Sequence, residues 1–303
     1  MLIDIINSYL SLRRAAGFKL NGTEKYLLSY ANFAAERGDQ YIVSKTAVDW
    51  ATASHSEGQR ANRLNFLIRF ARFAHAEDKR HEIPYKNVFS SRKHRRMPYL
   101  FTDEEVELLI LQAKQLSPSN GLRPQTYSTL FGLLASTGIR ISEALSLRLQ
   151  DITPEGLVIR ETKFRKSRLI WLHETVVAAL KKYLGYRCNI ASNDDHVFIS
   201  RMGRKLNYKV ANVTFEKVVK AIDIQHKLGK SKPRLHDLRH RFAIKALEAC
   251  PDNRDRIARH MLALSTYMGH ARMESTYWYL NTTPQLMRDV ADACESFSQG
   301  GIS

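Results

Sequence analysis

The chain has 303 residues, 44% of them hydrophobic and 10% aromatic, enough for a buried core and too many for general disorder. Lys and Arg number 47 against 30 Asp and Glu, a net charge of +17 that favours a polyanionic partner through counterion release. The three cysteines, Cys188, Cys250 and Cys294, form no CxxC pair, which excludes a disulfide framework and a thiolate zinc site.

Those thiols are expected to be buried and free in a reducing cytoplasm. Asp4 falls early in a start that lacks a basic stretch followed by an apolar one, so no signal peptide is read there. No run approaches the ~18 apolar residues of a spanning helix, and no membrane partner is expected. Length suggests about two domains.

Residues 1–83 read as helices only, around 2–15, 24–37 and 45–53, with a last helix marked by Leu64, Leu67, Ile68 and Ala71 and widened by Phe66, Phe70 and Phe73. Thr23 and Ser44 are the candidate caps of the second and third helices. Between Pro84 and Pro98 the hydrophobic period stops, and 84–98 reads as a linker. It carries Arg92, Lys93, Arg95 and Arg96, a basic run suited to lying along a phosphate backbone. From 99 onward the pattern changes. Thr102 opens a helix with three acids behind it, a second covers 125–136, and a third runs from Ile141 to about 149. Gly156–Arg160 and Arg168–Leu172 alternate as strands around the basic turn 163–166, the one convincing hairpin. Helices follow to the end. The fold class is mainly α with a small β-sheet or hairpin, an α+β chain.

Three constellations carry chemistry. In His236-Asp237-Leu238-Arg239-His240 the two histidines at i and i+4 share a helix face, as zinc ligands do, but a third ligand and a longer carboxylate are missing. His236 and Arg239, at i and i+3, can both donate to one anion. In Ser136–Leu145, Gly138 ends one helix and Arg140 starts the next, a planar cation beside free backbone N–H groups; Glu143, at i+3, can pair with it and fix it. In Tyr267–Tyr279, Gly269-His270 precedes Tyr279 by nine residues, and a tyrosine beside cations can attack phosphorus.

Arg140, a lysine in the hairpin turn, His236, Arg239, His270 and Tyr279, in that order, resemble the signature of the tyrosine recombinase (phage integrase) family, and the chain is of the Xer-like two-domain size class. The turn resembles that family's lysine-bearing β-turn; aligned on the Arg-apolar-apolar run after it, the lysine is Lys163, with Lys166 the second choice. Thr162-Lys163-Phe164 stands where Gly-Lys-Gly is common, and Trp171 where proline is frequent. Tyr277 competes with Tyr279 as nucleophile, but only Tyr279 keeps the interval from His270.

The resemblance implies a helical core-binding domain over 1–83, a basic linker over 84–98 and a catalytic domain over 99–303. It implies that Tyr279 attacks the scissile phosphate and stores the bond as a 3′-phosphotyrosine, so no ATP and no metal or other cofactor is needed. Arg140 and Arg239 would clamp the non-bridging oxygens, with Glu143 supporting Arg140. His236 would act as hydrogen-bond partner or base toward the tyrosine, His270 would donate to the phosphate, and Lys163 would protonate the departing 5′-oxygen. Arg92, Lys93, Arg95, Arg96, Arg165 and Lys166 are the expected DNA contacts. Double-stranded recombination sites and a homo-oligomer, a dimer of dimers on DNA, are the implied partners, in the cytoplasm with the nucleoid. Pro284 to about Phe297, with Leu286, Val290 and Ala291, is a candidate docking helix, and a separate arm-binding domain is not expected. An integrase or transposase of a mobile element is the leading reading, suggested by Tyr277–Leu280. A resolvase of chromosome or plasmid dimers is the alternative. A type IB topoisomerase, a DNA-binding protein with a dead site and a metal hydrolase are more remote.

Overall fold

The computed structural model describes residues 2–18, 20–90, 96–119, 121–160, 167–224, 231–249, 254–269, 276 and 279. The chain divides into two compact units, Met1–Arg95 and Arg96–Ser303.

The first unit is four helices, α1 (Leu2–Ala15), α2 (Asn21–Ala35), α3 (Ser44–Thr52) and α4 (Glu57–Glu77). The apolar stripe of α4 is buried as the period predicts, with Leu67, Phe70 and Ala71 sealed against Ile6 and Leu10 of α1 and Leu27 and Tyr30 of α2. The two expected caps are not the ones used. Leu20, at φ 48, leads into α2 without a side-chain cap, and Thr23 is buried as the third residue of the helix. The N–H of Ser44 donates to Glu82 Oε2 at 2.7 Å, so an acid 38 residues away satisfies the start of α3. Ser56 does cap α4, accepting from the Gln59 N–H. The segment behind α4 stays on this unit: the Glu82 N–H donates to the Ile42 carbonyl and Phe89 packs against the core.

The second unit begins with α5 (Asp103–Lys114), opened by a reciprocal box in which Thr102 accepts from the Glu105 N–H and Glu105 accepts from the Thr102 N–H. Its central element is α6 (Leu122–Thr137), buried over most of its length and packed on α5, α8 (Glu174–Cys188) and α10 (Leu235–Glu248). Gly138 ends α6 in the left-handed region at φ 59. The next helix, α7, spans only Ile141–Ala144, and a short 3-10 turn follows at Leu149–Asp151. The helix expected to reach 149 is cut short because the Asp151 carboxylate accepts from the Arg148 N–H and starts a new turn there.

The hairpin is in fact a three-stranded antiparallel sheet, β1 (Ile152–Thr153), β2 (Gly156–Ile159) and β3 (Arg168–Ile170). Leu157 pairs with both Ile152 and Ile170. β1, with two residues, was too short to register as alternation. The chain continues with α9 (Tyr208–Ala221), α10 and α11 (Arg254–Met268). The core runs from Leu109 and Phe131 to Phe198, Phe215 and Leu238. Cys188, at the end of α8, is exposed rather than buried; Cys250 and Cys294 lie outside the described residues. Among the described residues no helix is long and apolar enough to cross a membrane.

Candidate active site

Glu143 is the organising charge of the site. It is the third residue of α7, and its Oε2 accepts from the Arg140 N–H at 2.9 Å, which caps the helix from within. Its Oε1 then holds Arg140 Nη1 at 2.8 Å. Arg168, the first residue of β3, grips the same carboxylate from the sheet side, Nη2 to Oε2 at 2.7 Å and Nη1 to Oε1 at 3.2 Å. Glu143 and Arg168 side chains are each only 11% exposed. Burial pushes the Glu143 pKa up, but the hydrogen bonds from Arg168 and Arg140 outweigh it, and the carboxyl titrates below its ordinary range. One carboxylate facing two guanidiniums leaves a net positive pocket.

Three arginines then converge on the end of one helix. Arg168 Nε donates to the Tyr267 carbonyl at 2.7 Å, Arg239 Nη2 to Met268 at 2.6 Å, and Arg140 Nη2 to Gly269 at 2.7 Å. These are successive carbonyls at the C-terminus of α11, where intrahelical partners have run out and the helix dipole favours cations. Gly269 is left-handed at φ 64, and a side chain there would press on the Arg168 guanidinium at 2.9 Å. Arg239 lies on α10 and is 2% exposed. Its Nη1 donates to the Gly138 carbonyl at 2.6 Å. Burial and the nearby Arg140 charge lower its pKa to about 10, so it remains cationic at neutral pH. Gly138 is needed for a second reason: any Cβ there would run into the Phe242 ring. Phe242 in turn stacks on Tyr267 at 5.5 Å.

The remaining groups stand on α10. Asp237, fully buried, accepts from the Arg234 N–H at 2.8 Å and fixes the start of the helix two residues behind His236. The packed surroundings of His236 and the charge of Arg239 lower its pKa, although its rim is open to solvent, so it is neutral at pH 7. The His236 and His240 rings meet edge to face, 4.7 Å between centroids. His240 Nδ1 lies 3.1 Å from the hydroxyl of Tyr279. Tyr279 is 3% exposed and packs with Ala243, Leu247, Met261, Leu264 and Met268. Tyr267, the other tyrosine of the cluster, is pushed by burial up to about 12.

Arg140, Glu143, His236, Arg239 and Tyr279, singled out in the sequence, are thus gathered on α7, α10 and the segment beyond α11. Lys163, Arg165, Lys166, His270 and the rival Tyr277 lie outside the described residues, as do Arg92, Lys93 and Arg95 and the candidate docking helix with Leu286, Val290 and Ala291. Arg96 is exposed and donates through Nη2 to the Lys232 carbonyl at 3.3 Å. Sequence reading passed over Arg168, which served only to align the turn, and left His240 with no role beyond a metal pattern. A lone arginine entering a strand is the signal that could have exposed Arg168. Among the described residues, Asp194, Asp195 and His196 could together approach a cation. Their oxygens already hold the His196 and Lys205 N–H groups and Arg148, so they fasten a loop.

Residues 100–285 match the profile of the Phage integrase family. A protein of Sinorhizobium fredii named "Putative integrase/recombinase y4rB" is 34% identical over 295 residues, 94% of either chain. The fold is similar to that of a Tn1549 transposon integrase bound to transposon right end DNA (TM-score 0.66, 18% identity, 95% of this chain and 98% of that one). It is equally similar to the XerH site-specific recombinase bound to a palindromic difH substrate (TM-score 0.66, 19% identity, 91% and 80%). With a family profile spanning well over half of the chain and a relative this similar along nearly all of it, this chain belongs to the phage integrase family of tyrosine site-specific DNA recombinases.

Proposed function

We propose that this recombinase cuts and rejoins duplex DNA through Tyr279 and serves a mobile element as its integrase or transposase. The observation that carries the chemical part is the gathering of Arg140, Arg239 and Tyr279: the two guanidiniums bind the successive carbonyls of Gly269 and Met268, and Tyr279 belongs to the apolar cluster that contains Met268. Tyr279 Oη attacks the scissile phosphorus, the bond to the 5′-oxygen breaks, and a 3′-phosphotyrosine holds the bond energy for religation. Arg140 and Arg239, preset by Glu143 and by backbone carbonyls, receive the non-bridging oxygens as charge gathers on them. The carbonyl bonds at Gly269 and Met268 are neutral-acceptor bonds that a phosphate can replace or share. His236 and His270 add hydrogen bonds to the same phosphate, and Lys163 protonates the leaving 5′-oxygen.

Residues 1–83 act as the core-binding domain, 84–98 as the basic linker and 99–303 as the catalytic domain. Arg92, Lys93, Arg95, Arg96, Arg165 and Lys166 serve as phosphate contacts, in keeping with the net charge of +17. Exchanging two strands of each of two duplexes requires four cleavages, which favours a dimer of dimers assembled on DNA in the nucleoid. The relative named "Putative integrase/recombinase y4rB", similar along nearly the whole chain, supports the mobile-element reading.

The test is a nicked duplex that traps the covalent intermediate, with sites recovered by covalent capture from random duplex DNA. Wild type gives a protein–DNA band on a denaturing gel and Tyr279→Phe gives none. A band that survives in Tyr279→Phe and vanishes in Tyr277→Phe would move the nucleophile by two residues. Junction-specific amplification of an excised element circle in cells tests the mobile-element role, and a chain that only resolves replicon dimers at a single chromosomal or plasmid site, with no element-end junction formed, would refute it.

A further inference from the structure

We propose that His240 is the catalytic base of this site, the group that takes the phenolic proton from Tyr279 as the tyrosine attacks; this rests on Tyr279 being the nucleophile. The motif His236–His240 carries two imidazoles, and the reaction scheme above uses only the first. The geometry assigns the second to the reacting atom: His240 Nδ1 is 3.1 Å from the Tyr279 hydroxyl, within the reach of a base on the proton it removes. The ring planes are tilted by 58° with 5.4 Å between centroids.

The surroundings suit proton transfer. Tyr279 is sealed on its apolar side by Ala243, Leu247, Met261, Leu264 and Met268, which leaves the hydroxyl end as its polar outlet. His240 is half-buried and sits one turn beyond His236 on α10, whose residues Ala243, Ile244 and Leu247 form the wall of that apolar nest. Nucleophile and base are therefore held by the same helix. His236 is the weaker candidate for this step, because Arg239, three residues on, opposes a second positive charge on it. It is fitted to stay neutral and donate a hydrogen bond.

The step balances without a further reactant. The Tyr279 Oη–P bond forms and the P–O5′ bond breaks. The phenolic proton passes to His240 Nδ1, and Lys163 supplies a separate proton to the 5′-oxygen. In religation the 5′-hydroxyl attacks and gives its proton back to Lys163, the O5′–P bond forms as the Tyr279 Oη–P bond breaks, and the His240 imidazolium returns its proton to the tyrosine.

The experiment uses the trapping duplex with full-length wild type, His240→Asn and His240→Ala. His240→Asn keeps a hydrogen-bonding group near the hydroxyl but cannot carry a proton. The expected result is DNA binding within about twofold of wild type and covalent capture slowed on the order of 10²–10⁴-fold, the range of a lost acid–base group. Added imidazole should restore capture by His240→Ala. A duplex with sulfur in place of the bridging 5′-oxygen, which needs no proton on departure, should leave both variants slow. Capture by His240→Asn at the wild-type rate would overturn the assignment and leave His240 a positioning residue at most. Rescue by the sulfur substitution would overturn it too, by making His240 a donor to the leaving group. Absence of a wild-type adduct on any duplex would sink the tyrosine reading itself, an outcome distinct from either of these.

Discussion

The two units of this chain treat charge in opposite ways. In the first, Arg14–Glu24, Arg37–Asp49 and Arg80–Asp78 all lie at the surface, with Arg side chains at least 44% exposed. In the second, Arg239 is 2% exposed and Asp237 fully buried, and Arg168 and Glu143 are nearly as enclosed. Removing charges from water costs several kcal/mol per ion, and apolar replacements often stabilise a fold. Among the described residues the first unit packs four helices with these ion pairs left outside. The buried charge around α7, α10 and the end of α11 coincides with the proposed phosphate site.

The largest expected contrast is between Arg239→Ala and Arg37→Ala. Loss of Arg239 strips the Gly138 and Met268 carbonyls of their donor, at about 1–3 kcal/mol for each group left unsatisfied. It also removes one of the two proposed phosphate clamps, worth on the order of 10²–10³ in cleavage rate. Arg37→Ala removes a surface pair, worth about 0–1 kcal/mol, and should leave the rate alone. Urea unfolding and single-turnover trapping measure both quantities. Similar losses from the two variants would erase the distinction between the units.

Next comes Glu143→Gln, which keeps the shape but leaves Arg140 and Arg168 without their counter-charge. Breaking a buried pair costs about 3–5 kcal/mol, and the lower end applies here because Arg140 keeps 32% of its side chain in solvent. The sign with pH is fixed by the depressed carboxyl. Its contribution is complete above its unfolded value of 4.5 and is lost as pH falls through the lower folded value. Wild-type and Glu143→Gln stabilities should therefore converge below pH 4.5 and stay apart at pH 7. Curves that remain parallel through that range would show that Glu143 is not the group holding the arginines.

Gly138→Ala follows, at about 1–3 kcal/mol, from a left-handed φ and an overpacked Phe242. The same position explains what a sequence discloses. Gly138 was legible as a helix stop, because a glycine after an apolar helix and before an arginine has a local meaning. Arg140, His236, Arg239 and Tyr279 were legible because their order and spacing repeat a family pattern. The role of the Gly138 carbonyl, as the seat of an arginine 101 residues away, has no local sign. Arg168 hid for a related reason: alternation in a short strand says which face a residue takes, not that three elements meet there. Thr23 and Ser44 looked like caps, but tertiary contacts set those helix starts, as the Glu82 bond to Ser44 shows. His240 was read as half of a metal pair, since i and i+4 spacing cannot tell a ligand from a partner of a distant tyrosine.

The smallest effect tests where the two units should behave alike. Ser56 caps α4 in the first and Thr102 caps α5 in the second, each accepting from the N–H three residues on at 3.2 Å. Both caps are solvent-exposed, and each alanine substitution should cost about 1 kcal/mol. Glu105 reaches back to the Thr102 N–H at 2.9 Å, so that N–H keeps its acceptor in Thr102→Ala and the cost should not exceed the Ser56→Ala value by much. Neither variant touches the arginine cluster, and trapping rates should match wild type for both. If Thr102→Ala alone slowed trapping, the start of α5 would have to transmit to the site through Asp103, which pairs with Arg241 and Lys245 of α10. That helix also carries His236, Arg239 and His240, so a rate change without a stability change would place Asp103 among the groups that align it. Equal costs and unchanged rates would instead confine the difference between the units to the buried arginine–carboxylate cluster of the second.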